Sequence, residues 1–162
     1  MYYCIAYYVM QVCCMDFNRD TSAGYLVNHM ARLFARHLEN RIKPHGLALG
    51  AFPALLHLWE RDGLTQKELV DLLDIEQPTM AATLARMERD GLVTRHKGEA
   101  DGRVQFVRLT ARARALREVA VAEASAVNER ALLGLTPQER DLFLVLTQRV
   151  IAALEPNDDD QG

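Results

Sequence analysis

A chain of 162 residues, 49% apolar and 25% charged, has the size and composition of one soluble domain long enough to bury a proper core. No run approaches the ~20 consecutive apolar residues that a membrane-spanning helix needs, so no membrane role is expected. The formal charge of -3 counts against a nucleic-acid binder, but Glu155, Asp158, Asp159 and Asp160 stand together at the far end, and without them the balance is +1.

Residues 1–14 differ in character from everything after them. All three cysteines (Cys4, Cys13, Cys14) and four of the five tyrosines lie here, with no charged side chain. A secretory signal would want a basic start and a small-residue cleavage site, and neither is present. Two readings stay open. In one, Met15 is the true start; in the other, the leader is an apolar element packing on a dimer, or a redox switch through Cys13 and Cys14. A reactive thiolate needs an electropositive setting, which this uncharged stretch does not offer. An odd cysteine count without a signal fits a reducing, cytoplasmic compartment.

Thr21 or Ser22 caps a first helix running to about Lys43, with Leu26, Met30, Leu33, Phe34, His37 and Leu38 as its apolar stripe and Pro44 and Gly46 as its end. Leu47 to Arg61 reads as a second helix with Pro53 in its first turn, and Phe52, Leu55, Leu56 and Trp59 as core. Thr65 followed by Glu68 is a capping box that starts a third helix near Gln66, whose buried stripe is Leu69, Leu72 and Leu73. A fourth opens between Glu76 and Pro78, where a proline costs little because first-turn amides have no partner inside the helix. Met80, Leu84 and Met87 mark its inner face, and Gly91 its left-handed stop. Leu92 to Lys97 and Val104 to Leu109 then read as two strands joined by a charged, glycine-containing tip. Thr110 caps a long helix from Ala111 to about Leu133, stopped by Gly134. Thr136, Pro137 and Glu139 open a last helix to about Leu154.

At 100° per residue, the face opposite Met80, Leu84 and Met87 carries Pro78, Thr79, Ala82, Ala85, Arg86 and Arg89. It is small at its beginning, which permits close approach to another surface, and cationic at its end, which suits phosphate. Between Arg86 and Arg108, six Arg or Lys face four Asp or Glu. Helix, turn, helix and two-stranded wing in that order is a winged helix-turn-helix, whose second helix can enter a major groove while the wing reaches a minor groove. The last helix carries Leu142, Phe143, Leu144, Val145, Leu146, Val150, Ile151, Ala153 and Leu154 around more than one face. A helix that apolar must be covered on nearly all sides, and the most economical second cover is another copy of itself, hence a homodimer.

The motifs Leu-Thr-Gln-Lys-Glu-Leu (64–69), Gln-Pro-Thr-Met (77–80), Met-Glu-Arg-Asp-Gly-Leu-Val (87–93), Asp-Gly-Arg (101–103) and Val-Arg-Leu-Thr (107–110) stand in one register. In these the chain resembles the multiple-antibiotic-resistance regulator (MarR) family of transcription factors, and the flanking helices extend the likeness over about residues 22–155. The resemblance implies a mainly α fold, with a single domain at 15–155. Within it a winged-helix DNA-binding unit (47–110) lies between N- and C-terminal helices (20–46 and 111–155) that form a dimerisation region. The tail, 156–162, is acidic. It implies a homodimeric repressor on double-stranded DNA, reading a pseudo-palindrome and released by a small aromatic or phenolic effector.

On that reading Gln77, Pro78, Thr79 and Ala82 lie against the bases, Arg86, Arg89, Arg95 and Lys97 contact phosphate, and Arg103 enters the minor groove while Asp101 orients a wing arginine. The plain alternative for Asp101 and Arg103 is an exposed charged turn, and for Arg86 a structural ion pair. Many relatives carry polar or basic residues where Ala81 and Ala82 stand, so DNA shape and the wing take a larger share of specificity, with alanine still able to touch a thymine methyl. By position Tyr25, His29, Arg32, Arg36, His45, His57 and Trp59 are candidates for lining an effector cavity, with Arg32 and Arg36 able to pair an anion. His57 and Trp59 as plain core would look the same in sequence.

The five histidines show no metal-ligand spacing, and the long helix after the wing has none. No nucleophile triad, phosphate loop or nucleotide fingerprint appears, so neither an enzyme nor a cofactor is expected. The rival function is a winged helix used for protein interaction, which the acidity and the alanines of the reading face would suit.

Overall fold

A computed structural model describes residues 17–97 and 105–155, which divide into two units after Leu49. The expectations placed on residues 1–14, on the wing tip with Asp101 and Arg103, and on the acidic tail lie outside the described residues.

In the first unit, helix α1 (Ala23–Ile42) starts at Ser22, whose hydroxyl accepts from the Tyr25 amide, so the serine rather than Thr21 is the cap. Pro44 lies in a 3-10 turn, Lys43–His45, closed by Gly46. Ile42 and Leu47 are buried, whereas Leu26 and Val27 stay exposed.

The second unit begins with a correction. The expected helix from Leu47 is a 3-10 turn (Leu49–Ala51) that becomes helix α2 only at Phe52–Glu60, with Pro53 in the first turn, where it lacks no hydrogen bond. Strand β1 (Leu64–Thr65) follows, an element too short to show a period, and it makes the wing three-stranded. Helix α3 (Gln66–Leu73) opens on the expected box: Thr65 Oγ1 accepts from the Glu68 amide at 3.1 Å, and the Glu68 carboxylate accepts from the Thr65 amide at 2.7 Å. The Thr65 amide and, at 2.9 Å, the Thr65 hydroxyl both donate to the Glu68 carboxylate, and these bonds are the main causes that hold it below its ordinary value. Leu69 is fully buried, but Leu72, expected in the core, is half exposed. Helical spacing put it next to the buried stripe without saying how wide the stripe is. Asp74, left-handed at φ 47°, turns the chain toward helix α4 (Gln77–Arg89).

Met80, Leu84 and Met87 are buried as expected, joined by Thr83. Gly91 at φ 67° turns the chain into β2 (Val93–Lys97), which pairs antiparallel with β3 (Gln105–Leu109) from Val93 opposite Leu109 to Lys97 opposite Gln105. β3 is central, and on its other edge Leu64 stands opposite Val107. Leu64, Leu92, Val93, Val107 and Leu109 point into the same core as α2 to α4.

Thr110 caps the next helix through the Ala113 amide and also donates to the Gly91 carbonyl, pinning the base of the wing. The expected unbroken helix is instead α5 (Ala111–Ala115) and α6 (Arg117–Ala131), interrupted at Leu116. No proline or glycine marks the interruption. It also ends at Ala131, three residues before Gly134, which has an ordinary φ and is not a left-handed stop. Helix α7 (Pro137–Leu154) starts on the expected Thr136 and Glu139 box and has no buried residue. Among the described residues no helix is long and apolar enough to cross a membrane.

Candidate nucleic-acid interface

The amphipathic division of α4 is the starting point. Its inner positions are buried, and Gln77, Pro78, Thr79, Ala82, Ala85, Arg86 and Arg89 are exposed on the other side. That outer face begins with compact side chains and ends in two arginines, so its first turns can approach a partner's surface closely. Gln77 is not free to swing: its side-chain Oε1 accepts from Gln66 Nε2 of α3 at 3.1 Å, a bond across the turn between the two helices.

The cations expected at phosphate are held differently from one another. Arg86 donates to Thr83 Oγ1 one turn back at 3.2 Å, which keeps the side chain along its own helix. Arg89 pairs with its neighbour Asp90 at 2.9 Å. Arg95, on β2, donates through Nε and a terminal nitrogen to one oxygen of Glu88 at 3.0 and 2.6 Å. That hydrogen bond is the largest cause holding the Glu88 carboxyl below its ordinary value, so at neutral pH its charge offsets that of Arg95. Lys97 ends β2 exposed, at the edge of the wing tip.

What positions the wing is Asp62, just after the end of α2. Continuing the β1–β3 register places residue 62 opposite Leu109. Gly63 at φ 81° turns the backbone out of the strand there, and the Asp62 side chain replaces it as acceptor: Oδ1 takes the amides of Leu109 and Gly63, each at 2.9 Å. Oδ2 pairs with Arg114 of α5 at 2.7 Å. Burial raises the Asp62 carboxyl, but the bonds from Arg114, Leu109 and Gly63 outweigh it and leave the group below its ordinary value of 3.8. Arg112 adds a bond to the Asp90 carbonyl at the end of α4, and Trp59 Nε1 donates to the Ala113 carbonyl at 2.9 Å. The end of α2, the wing and α5 are therefore tied together by side chains 47 to 54 residues apart in sequence, a distance over which no local pattern carries a signal.

The effector candidates divide between the units. Tyr25, His29, Arg32, Arg36 and His45 belong to the first. Tyr25 and His29 stack with centroids 6.4 Å apart, and Arg32 and Arg36 follow exposed at helical spacing. His57 and Trp59 belong to the second, where the indole meets Phe52 edge-on at 6.2 Å.

Two packed helices joined by a turn, the second with an open face, and a three-stranded wing behind them define a winged helix-turn-helix protein. Residues 45–104 match the MarR family model. The chain is 37% identical over 84 residues to the HTH-type transcriptional regulator YwoH of Bacillus subtilis (strain 168), covering 52% of this chain and 61% of that one, less than two thirds of its length. It is 34% identical over 94 residues to the transcriptional regulator HosA of Escherichia coli O111:H-, covering 58% and 70%. A MarR family regulator from Listeria monocytogenes, complexed with 26mer DNA, superposes with a TM-score of 0.76 at 22% identity over 83% of this chain and 89% of that one. The chain belongs to the MarR family, whose members are transcriptional regulators and not enzymes.

Proposed function

We propose that this protein is a cytoplasmic, homodimeric repressor that binds a pseudo-palindromic DNA operator and is released by a small aromatic or phenolic effector. The observation that carries DNA binding is the outer face of α4, compact at its start and basic at its end, with the turn after the helix tied to the base of the wing by the Thr110–Gly91 bond. A helix so presented can enter a major groove with its first turns at the base edges and its arginines at the backbone. The Listeria protein with the same fold was crystallised in complex with 26mer DNA. Arg103, by the Asp-Gly-Arg motif, is assigned to the minor groove.

Dimerisation is supported by α7. Leu142, Leu144, Val145, Leu146, Val150 and Ile151 are 46% to 55% exposed, apolar surface on more than one side of a helix that would gain little from standing alone. Burying it against a second copy closes the surface with two-fold symmetry, and a two-fold protein reads a two-fold site. The effector reading rests on the Tyr25–His29 stack followed by Arg32 and Arg36, which together offer an aromatic face and cations to an aromatic acid. Such a ligand acts only through unequal affinity for DNA-competent and incompetent forms.

The test is fluorescence anisotropy on duplexes selected from a random pool, over a range of salt. Binding that weakens steeply with salt, with half-sites about one helical turn apart, is expected. Selection of no sequence, or binding without salt dependence, would leave the protein-interaction role of the fold as the better account.

A further inference from the structure

The bond between Gln66 and Gln77 joins the first turns of α3 and α4 at the surface, and neither side chain fills the core. We propose that it is a reading device, in which Gln77 recognises an adenine in the major groove and Gln66 holds its amide in the plane required. The inference rests on the DNA-binding reading and adds the base that the helix selects.

Three observations support it. Gln77 opens the helix, where the residues of a recognition helix meet base edges. Among the exposed residues of the α4 face it alone carries a donor and an acceptor in one rigid plane. Pro78, Ala82 and Ala85 offer no polar side-chain atom, Thr79 offers a single oxygen, and Arg86 and Arg89 only donate. Finally, a carboxamide has two lone pairs and two N–H groups, and one bond to Gln66 leaves at least one of each. This holds whichever end of the amide is engaged.

Adenine presents N7 as acceptor beside N6 as donor, matching both ends of the amide. Guanine presents two acceptors, thymine one acceptor and a methyl group, and cytosine one donor, so each pairs with only one end of the amide and leaves the other unpaired. Gln66 lowers the ordering cost of the reader: a glutamine free to rotate would lose that freedom on binding, whereas one already tethered loses less.

The experiment is sequence selection from a random duplex pool with the full chain, repeated with Q77A, Q77E, Q66A and Q66E, followed by competition binding at fixed salt. The wild type is expected to require adenine at one symmetric position of each half-site, by about 5- to 150-fold over other bases. Q77A should lose the preference at that position and keep the others. Q77E, an acceptor only, should move it to cytosine. Q66A and Q66E, neither of which can donate to Gln77 Oε1 as Gln66 Nε2 does, should each weaken the adenine preference about two- to tenfold. A wild type that selects no sequence overturns the DNA-binding reading and this inference with it. Sequence selection left unaltered by Q77A and Q77E overturns this inference alone, and an unaltered preference in Q66A removes the positioning role of Gln66.

Discussion

Replacing Asp62 tests the account of how the wing is held. In Asp62→Ala the Leu109 amide, at a residue only 5% exposed, loses its acceptor, which costs about 1–3 kcal/mol for a buried donor left unpaired. The Arg114 ion pair, with side chains 56% and 29% exposed, adds about 0–1 kcal/mol, and the Gly63 amide turns to water at little cost. A loss of about 1–4 kcal/mol is therefore expected. At ~2–4 °C per kcal/mol for a chain of this size, the melting temperature should fall by roughly 2–16 °C. Asp62→Asn keeps the Oδ1 acceptor and gives up only the pair with Arg114, so it should lose about 1 kcal/mol or less.

Urea unfolding at fixed protomer concentration measures both variants, since a dimer's stability depends on concentration. The single tryptophan, Trp59, donates to Ala113 close to this junction and serves as a local fluorescence probe. Acid separates the charge from the hydrogen bonds. The folded carboxyl lies below 3.8, so its contribution is whole above that value and disappears as pH falls through the folded value. The gap between wild type and Asp62→Asn should accordingly close in acid. Equal losses in the two variants, or an Asp62→Ala loss under about 0.5 kcal/mol, would show that the side chain does not complete the sheet.

Three further outcomes are expected. Glu88→Ala frees Arg95 from its 2.6 Å partner, so binding to a selected duplex should tighten and the salt slope steepen by about one unit per protomer; an unaltered slope means that Arg95 does not reach phosphate. The double variant L142E/L146E puts two like charges one turn apart on the apolar face of α7, and light scattering should show monomers that no longer bind operator, whereas a persistent dimer would locate the interface elsewhere. Arg103→Ala should weaken operator binding by about 1–3 kcal/mol at constant salt, and unimpaired binding would return the wing tip to a plain exposed turn.

Much of this fold was legible in the chain because the signals are local. The boxes at Thr65 and Glu68 and at Thr136 and Glu139, the proline in the first turn of α4, and the left-handed Gly91 each depend on a few consecutive residues, and each element starts or stops where they place it. The inner face of α4 followed from a single period, and the reading face followed as its complement. Less legible were features whose cause lies elsewhere in the molecule. Leu72 matched the helical spacing yet stayed at the surface, and α5 and α6 parted at Leu116 without any breaker residue. β1 exists only because β3 offers it an edge.

By itself the order of residues determined where the capped helices start, where α4 ends and which of its faces is apolar, since caps, turns and periodicity act within a few residues. Tertiary structure alone decided which cations stay committed to Glu88 and Asp62, and that Gln66 should meet Gln77. Those are encounters between groups 7 to 52 residues apart, and they come about only once packing has brought the elements together.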